Sequence, residues 1–157
     1  MRAILLMLLA VLVFTGCSTE YYIVRHAEKA ATPASDPLLS PEGIQRAAAL
    51  RTLLKKKSIK QIFSTPTQRT MLTARPISEA LGIPVQSYGP VPDATFIQKI
   101  KADKKNTLIV GHSNTVDDLV NGLIGANALQ DLPESVYSKM YVVKQRGKQL
   151  SWRVVEY

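Results

Sequence analysis

The chain contains only two histidines, and each stands directly after a short apolar run: His26 follows Tyr22-Ile23-Val24-Arg25, and His112 follows Thr107-Leu108-Ile109-Val110-Gly111. Imidazole titrates near pH 6.5, so such a residue serves at neutrality as a nucleophile, a proton carrier or a metal ligand. Arg25 adjoins the first histidine, and a third polar stretch, Ser64-Thr65-Pro66-Thr67-Gln68-Arg69, follows Ile62-Phe63. Arginine forks match anionic oxygens, those of phosphate above all. The competing chemistry is a two-histidine metal site with Glu28 or Asp36 as an added ligand. Arg25 and Arg69 would repel a divalent cation there, and the chain offers no third histidine, so no metal is expected.

These residues need a scaffold that ends its strands together. Glu20 to Val24 reads as a buried strand. Ser40-Pro41-Glu42-Gly43 opens a helix, with Ser40 as cap and Pro41 in the first turn; Ile44, Ala47, Ala48, Leu50, Leu53 and Leu54 supply its apolar face, and it stops in the run Lys55 to Lys57. Gln61 to Ser64 is a second strand, followed by a helix that runs to Leu81, stops at Gly82 and is bent or broken at Pro76. A third strand at Ile83 to Gln86, a helix from Asp93 to Lys101, a strand at Thr107 to Val110 and a helix at Thr115 to Ile124 follow. Lys139 to Lys144 and Gln149 to Val155 form a hairpin around Arg146-Gly147-Lys148. Strands alternating with helices predict an α/β three-layer sandwich with a largely parallel central sheet and an antiparallel edge. Ligands of such sheets lie beyond the carboxyl ends of the strands, where the three polar stretches would converge.

In order and in content the three stretches resemble the histidine phosphatase superfamily, which includes the cofactor-dependent phosphoglycerate mutases. Tyr22-Ile23-Val24-Arg25-His26-Ala27-Glu28-Lys29 is similar to its Arg-His motif, Ser64 to Thr70 with Thr73-Ala74 to the segment carrying its second arginine, and Val110-Gly111-His112-Ser113 to its second histidine motif. The likeness spans about residues 21–123 and implies a phosphoglycerate mutase-like fold. It further implies that His26 is the nucleophile, becoming a phosphohistidine, and that Arg25, Arg69 and His112 hold the phosphoryl oxygens, with no cofactor. In-line positioning and positive charge are most of what phosphoryl transfer asks of a protein. Family members take their proton donor from a segment after the third strand, which here makes Asp93 the candidate, against its plainer reading as a helix cap. Glu28, Asp117 and Asp118 remain open for that role, and Ser113 and Asn114 either orient His112, touch substrate or start the next helix.

The N-terminus carries a different message. Met1-Arg2 precedes the apolar run Ala3 to Phe14, then Thr15-Gly16-Cys17. The run is too short to span a bilayer, which needs about 20 residues, and reads as an export signal. Phe14 to Cys17 resembles a lipobox, in which the cysteine is lipidated and becomes the mature N-terminus, and Cys17 is the chain's only cysteine. The division expected is therefore a signal peptide at 1–16, a short lipidated tether at 17–20 and the phosphatase domain at 21–157. Removing the first 16 of 157 residues takes away only Arg2, so the charge falls from +8 to +7. A basic surface suits anionic substrates or lipid headgroups. No aromatic interleaving or recognition helix accompanies it, so nucleic acid is not expected, nor is an obligate protein partner.

The expectation is an exported phosphomonoester hydrolase, lipid-anchored to the bacterial cell envelope and facing the periplasm from the outer membrane if the source is Gram-negative, with Ser18 after the lipidated residue. Its partners are a phosphorylated substrate and the membrane. Two alternatives come from other classes: a catalytically inactive phosphate-binding envelope lipoprotein, and an interaction protein whose basic face binds anionic polymers.

Overall fold

The computed structural model describes residues 18–157. The expected signal segment and Cys17 lie outside these residues. Six strands form one sheet in the order β3-β2-β4-β1-β5-β6: β1 (Ser18–Arg25), β2 (Gln61–Ser64), β3 (Val85–Ser87), β4 (Thr107–Gly111), β5 (Lys139–Arg146) and β6 (Gln149–Glu156). The first four run parallel, and β5 and β6 complete the sheet as an antiparallel hairpin beside β1. Four helices fill the connections: α1 (Pro41–Leu54), α2 (Gln68–Leu81), α3 (Ala94–Asp103) and α4 (Val116–Ile124).

β1 is buried on both faces, and its alternation divides the core. Tyr22 and Val24 pack with Leu50 and Leu54 of α1 and Ala74 and Ile77 of α2. Tyr21 and Ile23 pack with Ile97 and Ile100 of α3 and Leu119 and Val120 of α4. A central strand covered by helices on both sides has no polar face to spare, which is why its sequence reads as a continuous apolar run. Polar residues fall only at its two ends, at Ser18 to Glu20 where it enters and at Arg25 and His26 where it leaves the sandwich.

The caps act as expected. Ser40 accepts a hydrogen bond from the Gly43 amide, Pro41 sits in the first turn of α1, and Gly82 ends α2 at φ +65°. Pro76 lies inside an unbroken α2. The buried stripe of α1 is Gly43, Ala47, Leu50 and Leu54, whereas Ile44 and Ala48 are exposed. The expected tether is corrected: Ser18, Thr19 and Glu20 are the first residues of β1 and pair with Arg146, Gln145 and Lys144 of β5. The long hairpin strand extends past the start of β4, and pairing with it satisfies backbone groups that a free tether would leave to water.

Candidate active site

The carboxyl ends of β1, β2 and β4 meet at one edge of the sheet. The His26 amide donates to the Gly111 carbonyl at 2.9 Å, and the Thr65 amide to Val110 at 3.4 Å, so the three polar stretches are tied to one another through backbone. They bound a cleft of about 710 Å³ lined by Arg25, His26, Arg69, His112, Ser113 and Glu134 among others. Four of the residues expected to act together, Arg25, His26, Arg69 and His112, are thus brought together.

His26 is 3% exposed, and its Nδ1 lies 2.8 Å from the Ala27 carbonyl oxygen. A carbonyl only accepts, so Nδ1 carries the hydrogen and Nε2 keeps the lone pair. Burial, with Arg25, Arg69 and His112 nearby, pushes its pKa down to about 4, against the opposing pull of the Ala27 carbonyl. The ring is therefore neutral at neutral pH, with the tautomer that leaves a nucleophilic nitrogen free.

His112 stands 5.5 Å away between ring centroids, nearly edge to face. Arg69 Nη2 donates toward its Nδ1 at 3.4 Å, which assigns the hydrogen to Nε2, 2.9 Å from Thr65 Oγ1. The Thr65 hydroxyl donates onward to Thr70 Oγ1 at 3.0 Å, and the Thr70 hydroxyl reaches the Thr65 carbonyl at 2.8 Å. Burial first, then the two arginines, holds the His112 pKa down to about 4, against Glu134.

Arg25 shares the face of β1 that carries Tyr21 and Ile23, and so meets the chain that follows α4. It is 1% exposed. Nη1 donates to the carbonyls of Pro133, Glu134 and Val136, Nη2 donates to the Glu134 carboxylate at 2.7 Å, and the guanidinium lies 4.1 Å from the Tyr137 ring centre. Glu134 also accepts from the Ser113 hydroxyl, and that hydrogen bond with the arginine holds its carboxyl below the usual range. The Nε atoms of Arg25 and Arg69 are buried without a hydrogen-bond partner among the described residues. Donors in that state suit an anion entering the cleft.

Three of the carboxylates considered for other roles, Asp93, Glu28 and Asp36, are engaged in structural contacts. Asp93, the candidate proton donor, takes the cap role that the sequence also offered: its side chain accepts from the Phe96 amide at 2.7 Å, and it does not line the cleft, although Pro90 and Val91 of the same loop do. Glu28 is gripped by Arg46 at 2.6 to 2.8 Å. Asp36 accepts from the Gln68 amide at the start of α2, where Thr67 supplies no side-chain cap, and lies 3.8 Å from Arg69. Asp117, in the first turn of α4, is buried with its Oδ1 unpartnered among the described residues, and burial raises its pKa; Asp118 faces a different hollow. Among the described residues no three His, Cys, Asp or Glu side chains are grouped to hold a metal ion.

Glu134 and Tyr137 escaped the sequence reading because no apolar strand run points to them. The one signal was a polar stretch, Gln130 to Ser138, between the most apolar helix and β5, whose start lies at the same sheet edge.

Residues 21–88 match the model of the histidine phosphatase superfamily (branch 1). The protein histidine phosphatase SixA complexed with tungstate superposes with a TM-score of 0.69 at 18% identity, covering 88% of this chain and 97% of that one. Mycobacterial glucosyl-3-phosphoglycerate phosphatase gives 0.65 at 13%, covering 89% and 98%. A mutant phosphoserine phosphatase from Entamoeba histolytica in complex with phosphoserine gives 0.66 at 14%, covering 85% and 94%. The curated proteins gave no match. The fold is the phosphoglycerate mutase-like α/β sandwich expected from the motifs.

Proposed function

On the premise that residues 21–88 carry the sequence pattern of the histidine phosphatase superfamily and the whole domain its fold, we propose that the protein is a metal-independent phosphomonoesterase that passes a phosphoryl group to His26 and then to water. The observation that carries this is the state of His26: buried, neutral, its Nδ1 hydrogen spent on Ala27 and its Nε2 free beside two arginines.

The reaction divides into two displacements. The Nε2 lone pair forms a bond to phosphorus as the P–O ester bond breaks, and the leaving oxygen takes a proton. Water then attacks phosphorus, the P–N bond breaks, phosphate departs, and a water proton returns to the donor. Arg25, Arg69 and His112 hold the non-bridging oxygens, where fixed positive groups lower the barrier most.

With Asp93 committed to α3, we place the proton at Glu134, which lines the cleft. Its carboxylate rests on Arg25 and Ser113 until a phosphoryl dianion takes the arginine; a carboxylate left beside a dianion gains a proton more readily. Phosphatases of this fold named for phosphohistidine, glucosyl-3-phosphoglycerate and phosphoserine differ widely in substrate, so the substrate here is put no more narrowly than a phosphomonoester. The N-terminal lipobox-like segment supports an envelope lipoprotein held through Cys17.

The test is hydrolysis of an aryl phosphate by the full chain with a chelator present, wild type against His26→Ala. Turnover that resists the chelator and vanishes in the variant supports the proposal. Phosphate binding without turnover favours the binding-lipoprotein reading, for which Glu134 seated on Arg25 is the motivating observation.

A further inference from the structure

The positive charge of the domain is gathered at the end of the sheet opposite the cleft. Lys55, Lys56, Lys57 and Lys60 lie in the α1–β2 connection and are all exposed. Exposed Lys104 and Lys105 lie in the α3–β4 turn, and Asn106 fastens the two connections together, donating to the Lys57 carbonyl and accepting from the Lys60 amide. The Asn106 side chain also accepts from the Glu20 amide, which brings β1 to the same place. The hairpin adds Lys144, Arg146 and Lys148, with Arg146 opposite Ser18 in register. The carboxylates toward this end are already engaged: Glu20 with the Tyr22 hydroxyl and, at 4.0 Å, with Lys144, which it offsets, Glu79 with Arg75 and Asp103 with Lys99.

The chain enters the domain through this same face. Ser18, the first residue of β1, stands one residue after Cys17 and four after the apolar run Ala3 to Phe14. We propose that this basic end is a docking surface for the anionic headgroups of a phospholipid bilayer, oriented by the N-terminal segment. It extends the lipoprotein reading, on which the orientation rests. Lysines close to an anionic leaflet each favour binding by about five-fold. Nucleic acid fits less well, since residues 55–60, 103–106 and 144–149 contain no aromatic side chain on which a base could stack.

The arrangement bears on substrate. Ser18 to His26 is eight steps of extended chain, roughly 25 Å at about 3.3 Å per residue, so a domain docked on its basic end holds the cleft well clear of the leaflet and turned away from it. Headgroups of that leaflet are then out of reach, and the substrate is water-borne or displayed on another molecule.

The experiment uses the full chain on vesicles of phosphatidylcholine alone or with phosphatidylglycerol, and reads the rate at which an amine-reactive acylating reagent modifies each lysine. With phosphatidylglycerol, Lys55 to Lys57, Lys104, Lys105 and Lys148 are expected to react several-fold more slowly, while Lys29 and Lys139 near the cleft are unchanged. Equal rates on both vesicles overturn the proposal, as does tighter binding of an oligonucleotide than of anionic vesicles at the same ionic strength. A chain that ignores phosphatidylcholine yet is protected by phosphatidylglycerol sinks the anchor reading and keeps the docking surface. The triple variant Lys57→Glu, Lys105→Glu, Lys148→Glu is expected to keep aryl phosphate turnover and lose the protection; a variant that stays protected counts against the surface.

Discussion

The Glu134 carboxylate lies 2.7 Å from the Arg25 guanidinium, so an exposed acid occupies a fully buried arginine at the mouth of the cleft. A phosphoryl group that takes the Arg25 Nη2 donor displaces this carboxylate, and one held by the unpartnered Nε still sits beside its charge. Glu134→Gln removes that competition. Because the acid is well exposed, solvent screening keeps the gain modest, about 1 kcal/mol or five-fold in the inhibition constant for inorganic phosphate. If the same residue protonates the leaving group, the variant also slows alkyl phosphates far more than aryl phosphates, whose leaving groups need less help. Tighter phosphate with equal slowing of both substrates would remove the donor assignment and leave the competition.

Two histidines held down to about 4 give the molecule a signature in acid. Their unfolded pKa is near 6.5, so between these values the unfolded chain binds more protons than the folded one, and stability rises with pH across that window. It is complete above about pH 6.5 and falls by a few kcal/mol as pH drops toward 4. Urea unfolding midpoints at several pH values measure the slope, and His26→Ala should flatten it. Over the same range the nucleophile stays neutral. The acid limb of kcat/KM, corrected for ionisation of the substrate, therefore belongs near pH 4 rather than 6.5.

What the sequence could announce followed from burial. Arg25-His26, Ser64 to Arg69 and Gly111-His112 stood out because polar residues ended buried strands, and the register that pairs Arg25 with Gly111 puts them together. Glu134 and Tyr137 belong to a connection with no periodicity, and only tertiary contact reveals them. Asp93 carried two readings in the sequence, proton donor and helix cap. A helix-cap aspartate and a loop acid near a third strand leave the same trace in sequence, and only the Phe96 amide distinguishes them. The expected strand began at Glu20, two residues late, since Ser18 and Thr19 are polar but find partners in β5.

That reassignment of Asp93 makes a prediction unlike one for a catalytic acid. Asp93→Ala loses the α3 cap and should cost about 1 kcal/mol of stability. The ratio of rates on alkyl and aryl phosphates should not move, and Asp93→Asn, which can still accept from an amide, should restore most of the stability. A rate ratio that falls in both variants would return Asp93 to the chemistry.

Gly43 connects the helix layer to the nucleophile. A Cβ on this residue would lie 2.1 Å from the Glu28 carbonyl oxygen, a backbone atom two residues after His26. The same carbonyl accepts from the Ser40 amide at 2.9 Å, so the start of α1 is pressed onto the loop that leaves β1. Gly43→Ala must push α1 and that loop apart, since neither atom belongs to a flexible side chain. Overpacking of this kind costs about 2 kcal/mol or more. It should also loosen the Ala27 carbonyl that fixes the His26 tautomer, so activity should fall further than the folded fraction does. Circular dichroism melts give the first quantity and turnover per folded molecule the second. An alanine variant of native stability and rate would mean that α1 does not brace the nucleophile.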